Sequence, residues 1–176
     1  MQVLTGKNIY LRALEPEDIG FLYTVENDAS FWEVSSTLVP FSRYFLERYI
    51  ANAHQDIYIA KQLRLVIVES ESNEAIGMID LFDFSPEHKR AGIGILIVEK
   101  EQHKGYASEA LHLLIEYCFK QLDLHQLFAN ITSDNTKSLH LFKKHNFSKV
   151  GAKKEWIYTN GNYKDEILFQ LINTNS

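Results

Sequence analysis

Apolar and polar positions along this chain change period in a way that maps a succession of short elements. Residues 9–14 alternate in strand fashion, and Glu15-Pro16-Glu17-Asp18 then opens a helix with proline and acids in its first turn. That helix is expected to reach about Asn27. Ser42 can cap a second helix running to about Ala53, with Phe45, Leu46, Tyr49 and Ile50 at helical spacing. The aromatic-bearing stretch 28–41 between them predicts a loop. Residues 63–69 and 75–84 predict two strands separated by a turn at 70–74, and 83–90 a polar connection. Residues 91–98 are almost continuously apolar, which predicts a strand buried on both faces at the centre of a sheet.

Beyond that strand the period becomes helical. From 105 to 122, Ala110, Leu111, Leu114, Ile115, Cys118 and Leu122 fall on one side of a helix, the side expected to pack on the sheet. Residues 127–131 predict a further short strand. Ser133-Asp134-Asn135 supplies capping side chains for a helix over 136–145, and another strand is expected from near Phe147. Residues 156–158 and 163–172 predict two strands joined by a turn containing Asn160-Gly161. No linker, repeat or low-complexity stretch interrupts the sequence, so a single domain over 1–176 is expected.

Composition narrows the function classes. The chain has 176 residues, 45% of them hydrophobic and 23% charged, as in a soluble globular protein. A formal net charge of -5 lacks the basic stripe that nucleic-acid binding demands, and suits cationic partners. Cys118 is the only cysteine, which excludes an intramolecular disulfide and thiolate-rich structural zinc, and fits a reducing compartment. No apolar run approaches the ~20 residues that span a bilayer, and residues 1–7 lack a secretory pattern. A cytoplasmic protein with no nucleic-acid partner, no membrane partner and no metal is the expectation.

The segment richest in chemical content is the strand ending at Val98, the polar turn after it, and the helix beginning near Gly105. A helix N-terminus offers unpaired amides and the positive end of the helix dipole, and so receives anions. Gly105 lets backbone approach a phosphate, Ala107 keeps the next turn small, Lys104 can add charge and Ser108 a hydroxyl. Spacing alone fits an ordinary strand-to-helix connection equally well. Neither a G-x-x-x-x-G-K-S/T phosphate loop nor a G-x-G-x-x-G fingerprint is present.

Gln102-His103-Lys104-Gly105-Tyr106-Ala107 resembles the Q/R-x-x-G-x-G/A signature of the GNAT acetyltransferase superfamily, in the strand-before and helix-after setting of that family. Asn135-Thr136-Lys137-Ser138, followed by Phe142 to Phe147, is similar to the family's N-x-x-S and K-x-G-F region. Leu11-Arg12-Ala13-Leu14 with Asp18 is similar to the L-R-P-L-x-x-x-D opening of the ribosomal-protein-alanine and spermidine N-acetyltransferase branch. The resemblance covers almost the whole chain and implies an α/β (α+β) fold with a mixed, mostly antiparallel sheet flanked by helices. It implies that Leu96, Ile97 and Val98 offer backbone groups to the pantetheine of acetyl-CoA. It further implies that Gln102, His103, Lys104, Gly105, Tyr106, Ala107 and Ser108 hold the pyrophosphate. Asn135 and Ser138 match residues that face CoA, and Lys144 is placed toward the adenosine phosphate. Homodimers are common in the family and are not readable from these residues.

Acetyl transfer to an amine needs a neutral nucleophile, a stabilised oxyanion and a proton for the thiolate. An alkylammonium with pKa about 10.4 costs roughly 4 to 5 kcal/mol to neutralise at pH 7, so a carboxylate or water chain is useful. Asp80, Asp83 and Glu33 are the candidates, each equally readable as a solvated surface acid. The resemblance places the oxyanion donor among backbone amides near Val98. Many family members carry a tyrosine at the position of Phe142, which has no proton to give; Ser138 is the family-supported substitute, with Tyr106 and Tyr158 nearby in sequence terms. A thiol titrating near 8.5 makes thiolate departure only about 2 kcal/mol harder than thiol departure, so solvent protonation can suffice.

The acceptor expected is a protein N-terminal amine or a small amine such as a polyamine. The spermidine branch tends to carry paired acids before a proline in the first interhelix loop, where this chain has Leu38-Val39-Pro40. A rival expectation keeps the fold and CoA binding but makes the chain a catalytically weak regulatory or interaction module; Phe142 motivates it. Cys118 on its apolar face reads as core. His112 and Glu116 lack the second histidine of a zinc protease and read as a solvated face.

Overall fold

A computed structural model describes residues 4–175; positions 1–3, part of the stretch lacking a secretory pattern, and residue 176 lie outside the described residues. Arg12 shows why the chain opens as it does. It sits on strand β1 (Ile9–Ala13) and grips Asp18 with two hydrogen bonds, Nη1 to Oδ2 at 2.7 Å and Nη2 to Oδ1 at 2.9 Å. Asp18 Oδ2 also accepts the Glu15 N–H at 2.8 Å, and Pro16 presets the turn between them. Burial alone would raise the Asp18 carboxyl, but the Arg12 and Glu15 bonds hold it below its ordinary range. Helix α1 (Ile19–Glu26) starts from this knot.

The remaining strands are β2 (Leu63–Glu69), β3 (Ala75–Ser85), β4 (Arg90–Ile97), β5 (Gln126–Thr132), β6 (Ser148–Thr159) and β7 (Asn162–Ile172). All seven join one sheet in the order β1-β2-β3-β4-β5-β7-β6. Neighbours are antiparallel except β4 and β5, which run parallel because a helix connects them. The mixed, mostly antiparallel sheet flanked by helices is thus observed.

Each face of the sheet has its own core. On one side, Ala110, Leu111, Leu114 and Cys118 of α5 (Tyr106–Lys120) pack on Ile9, Leu65, Ile79, Ile93 and Leu127. On the other, Leu22 and Val25 of α1 and Leu46 and Ile50 of α3 (Arg43–Asn52) cover Met78, with Leu96 and Val98 against them. Burying one such leucine contributes about 1.5–3 kcal/mol.

Three details depart from the sequence pattern. The stretch 28–41 is not wholly loop: Asp28 accepts the Ser30 N–H and starts a turn that leads into α2 (Trp32–Ser35). Trp32 Nε1 donates to the Glu26 carbonyl at 2.9 Å, and Asn27 ties to the Phe41 backbone in both directions, closing the base of the segment. A second short helix, α4 (Ile57–Ala60), begins where Asp56 accepts the Tyr58 N–H. The strands expected near 147 and 156–158 are one continuous β6 with two register shifts, one of them spanning Glu155 at φ 49°. The last helix, α6 (Thr136–Lys144), is capped by Asn135, whose Oδ1 accepts the Ser138 N–H at 3.2 Å.

Among the described residues no helix is long and apolar enough to cross a membrane, and no three metal-ligating side chains gather.

Candidate functional site

The site starts from a break in the sheet. β4 pairs with β3 along its length but with β5 only at Arg90, Ala91 and Gly92, after which the two strands diverge. This is why Gly94, Ile95 and Leu96 are only half-buried, where the unbroken apolar run predicted a strand covered throughout. Val98 N–H donates to the Ile76 carbonyl at 2.9 Å, which fixes the alternation along the strand. Ile93, Ile95 and Ile97 therefore turn their N–H and C=O groups toward the gap, and Leu96 turns its carbonyl toward Gly77 on β3.

The backbone expectation is corrected accordingly. Leu96 and Ile97 do line the cleft, but the edge groups belong to Ile95 and Ile97, and Ile97's carbonyl accepts from Gln102 Nε2 at 2.9 Å. Val98 lies outside the cleft, its side chain packed near Leu22 and Met78, and its N–H cannot receive an oxyanion.

From the end of β4 the chain makes a short turn through Gln102 and His103 and reaches Gly105, the N-cap of α5, at φ 85°. That left-handed conformation is the reason for glycine here. No side chain caps α5, so the first-turn amides at Tyr106, Ala107 and Ser108 face a cleft of about 420 Å³. His103, Gly105, Asn135, Ser138 and Lys144 line it as well. Lys104 does not: its ammonium is 2.8 Å from Glu101, and the cations at the cleft are Lys144 and Lys137, the latter bonded to Gln102 Oε1 at 3.0 Å. Ser108 Oγ lies 2.8 Å from His145 Nε2, joining the first turn of α5 to the end of α6. Burial, then the charges of Lys144 and His112, hold His145 below its ordinary pKa.

A second, tighter space of about 70 Å³ fills the gap between β4 and β5. Gly94, Ala129, Phe142, Glu33 and Glu166 are among its walls. Ile95, Val34, Asn135 and Ser138 line both spaces, so the two meet there. Ser138 is the one hydroxyl side chain common to both, and no described residue hydrogen-bonds its Oγ. Phe142 is 3% exposed and meets Phe147 edge-on, ring centres 5.0 Å apart, a fully apolar arrangement. Tyr106 lines the cleft, whereas Tyr158 stands exposed against Tyr163 and lines neither space.

The carboxylates are already engaged. Asp80 is corrected as a proton acceptor: Arg64 binds it with two bonds, Nε to Oδ1 at 2.9 Å and Nη2 to Oδ2 at 2.7 Å, and also binds Glu26. Asp80 and Asp83 line neither space. Glu33 does line the gap, with Oε1 held 2.8 Å from Lys164 Nζ, and Lys164 also bonds Asp134 at 2.8 Å. Glu166 pairs with Lys153 at 2.6 Å. Val34, Lys137 and Lys164 were not signalled in the sequence, because each is brought to the site only when α2, α6 or β7, which pairs with β5 and β6, takes its place in the fold. Cys118 is fully buried, and burial raises its thiol far above the ordinary range.

The family model described as the acetyltransferase (GNAT) domain matches residues 8–148. The spermidine N(1)-acetyltransferase of Vibrio cholerae serotype O1 is 28% identical over 163 residues, 91% of this chain and 90% of the relative. The crystal structure of spermidine N-acetyltransferase from Vibrio cholerae in complex with CoA and spermine has a TM-score of 0.86 at 24% identity, covering 95% of this chain and 96% of that one. A dodecameric structure of the Vibrio cholerae enzyme gives 0.80 at 27% identity, over 95% of each chain. The chain belongs to the GNAT acetyltransferase family and is an N-acetyltransferase that draws its acetyl group from acetyl-CoA.

Proposed function

We propose that the chain works as one domain that acetylates the primary amine of a small alkylamine, polyamines included, by direct attack on acetyl-CoA. The observation that carries this reading is the β4 edge left without a strand partner at Ile95 and at the Ile97 N–H, the Ile97 carbonyl being held by Gln102, set beside the uncapped start of α5. The pantetheine amides would pair with that edge as an added strand, and the pyrophosphate would rest on the amides of Tyr106 to Ser108, with Lys137 and Lys144 as counter-charges. The thioester would then lie near Ile95 and Ser138, where cleft and gap join. The name of the spermidine-acetylating relative supports a polyamine among the acceptors.

The amine enters through the gap and must first lose a proton, a step of about 4–5 kcal/mol at pH 7. Both oxygens of Asp80 are committed to Arg64, whereas Lys164 holds only Oε1 of Glu33, so Glu33 Oε2 at the gap is the carboxylate oxygen placed to accept that proton, directly or through water. The lone pair on nitrogen attacks the thioester carbon, the C–N bond forms, and the oxyanion is received by an edge amide of β4. The nitrogen, now positively charged, gives its second proton to water, the C–S bond breaks as the oxyanion collapses to the amide carbonyl, and the thiolate takes a proton relayed from solvent through Ser138 Oγ. Since the thiolate is only about 2 kcal/mol above the thiol at neutral pH, Ser138 has a modest amount to contribute.

Thiol release from acetyl-CoA across alkylamines, spermidine and N-terminal peptides tests the reading. Turnover with the amines, with acetylated product by mass, is expected. Measurable CoA binding without turnover of any acceptor would overturn it in favour of a regulatory module.

A further inference from the structure

The acceptor side of the gap carries its own cations. Lys164 stands on β7 opposite Ile157, which lines the gap, and its ammonium lies 2.8 Å from Glu33 Oε1 and 2.8 Å from Asp134 Oδ2. Those two oxygens are therefore no farther apart than twice that distance. Glu33 comes from α2 and lies 131 positions from Lys164, while Asp134 lies in the turn just before the Asn135 cap of α6. One ammonium thus bridges the acceptor wall to the helix that lines the donor cleft. The other carboxylate at the gap, Glu166, has a separate lysine, Lys153, whose ammonium also sits 4.9 Å over the Trp156 ring.

A lysine side chain ends in the same group as an alkylamine acceptor, a primary ammonium on a methylene chain. Asp134 and Glu33 both favour its charged form, so Lys164 stays protonated at neutral pH. An arriving polycation meets a mouth whose acids are already neutralised, and to reach Glu33 and Asp134 it must displace Lys164. A monoamine needs only the Glu33 oxygen that Lys164 leaves open, Oε2, and has no second charge to place.

We propose that Lys164 is a specificity-determining residue, whose ammonium takes the place a polyamine's second positive charge would occupy and so tilts the enzyme toward acceptors with a single amine. The proposal rests on the amine-acetylating reading above.

The test compares kcat/KM for spermidine and for butylamine in wild type, Lys164→Met and Lys164→Arg. Lys164→Met removes a cation from Glu33 for both amines, so any change in kcat is expected to be common to the two, while KM for spermidine falls about tenfold relative to KM for butylamine. The gain should shrink as salt is raised, because it is a gain in charge attraction. Lys164→Arg should retain the wild-type ratio. An unchanged spermidine-to-butylamine ratio, or an equal fall for both amines, would overturn the proposal and leave Lys164 a structural tie. Melting with and without CoA identifies a variant that fails to fold. If wild type turns over no amine, the functional reading itself fails, and calorimetry of spermidine on the CoA-loaded protein still decides this point: tighter binding to Lys164→Met supports it, equal binding overturns it.

Discussion

The two spaces that meet at Ile95 are made from different materials. The proposed donor cleft is built largely of backbone: the free edge of β4, the amides of a helix start, and a glycine at φ 85°. The proposed acceptor gap is walled by side-chain ion pairs, Glu33 with Lys164 from a distant part of the chain and Glu166 with its cross-strand partner Lys153. Backbone recognition tolerates substitution at most positions and fails abruptly at the few that shape the chain. Ion-pair recognition changes by degrees, so an acceptor preference can drift while the donor stays the same.

Gly105→Asp should break the donor side most completely. An aspartate would have to adopt the left-handed conformation and would set a like charge against the pyrophosphate. Thermal stabilisation by CoA should vanish and kcat/KM should fall more than about a hundredfold, with the unliganded fold retained. Arg64→Met attacks the other side. It leaves Asp80 and Glu26 as unpaired, mostly buried carboxylates, and Glu26 is also the residue whose carbonyl anchors Trp32 and hence α2. A loss of about 3 kcal/mol is expected, read as a fall in Tm of about 6–12 °C, with the acceptor KM rising while CoA affinity persists.

Smaller effects sharpen the boundary between the two spaces. Ser138→Ala should lower kcat about tenfold at unchanged CoA affinity, a size set by the ~2 kcal/mol between thiolate and thiol. Adding Phe142→Tyr in the same gap wall should restore part of it, since a phenol can supply the missing proton. Recovery in single-turnover rates with no change in CoA binding is the expected pattern. The smallest effect concerns pH. His145 is held neutral in the fold, so below about pH 6.5 the unfolded chain takes up a proton that the folded one resists. Stability tied to this group is present above that pH and is lost as pH falls below it. Melting between pH 7.5 and 5.5 should show a shallower fall for His145→Gln than for wild type.

The same division governs what the sequence disclosed. The turn to Gly105, the helix start at Tyr106 to Ser108 and the Asn135 cap were legible because each depends on local backbone whose residue preferences are written within a few positions, whereas Lys104, turned to Glu101, was not placed correctly. The order of strands and helices was legible for the same reason. The direction of each β4 amide was not, since it depends on pairing with β3, and this misplaced the edge by one residue at Val98. Asp80 looked available because its partner Arg64 lies on a neighbouring strand, and Lys164 gave no signal at all. The half-exposure of β4's centre likewise escaped an apolar pattern that cannot distinguish a strand covered by protein from one whose edge awaits a ligand.

Amide hydrogen exchange along β4, with and without CoA, tests the central claim most directly. The Ile95 and Ile97 N–H groups should exchange readily in the free protein and become protected on saturation with CoA, while Val98, already bonded to Ile76, is protected in both states. Protection arising elsewhere, with Ile95 and Ile97 unchanged under saturating CoA, would contradict the placement of the donor on the open edge of β4.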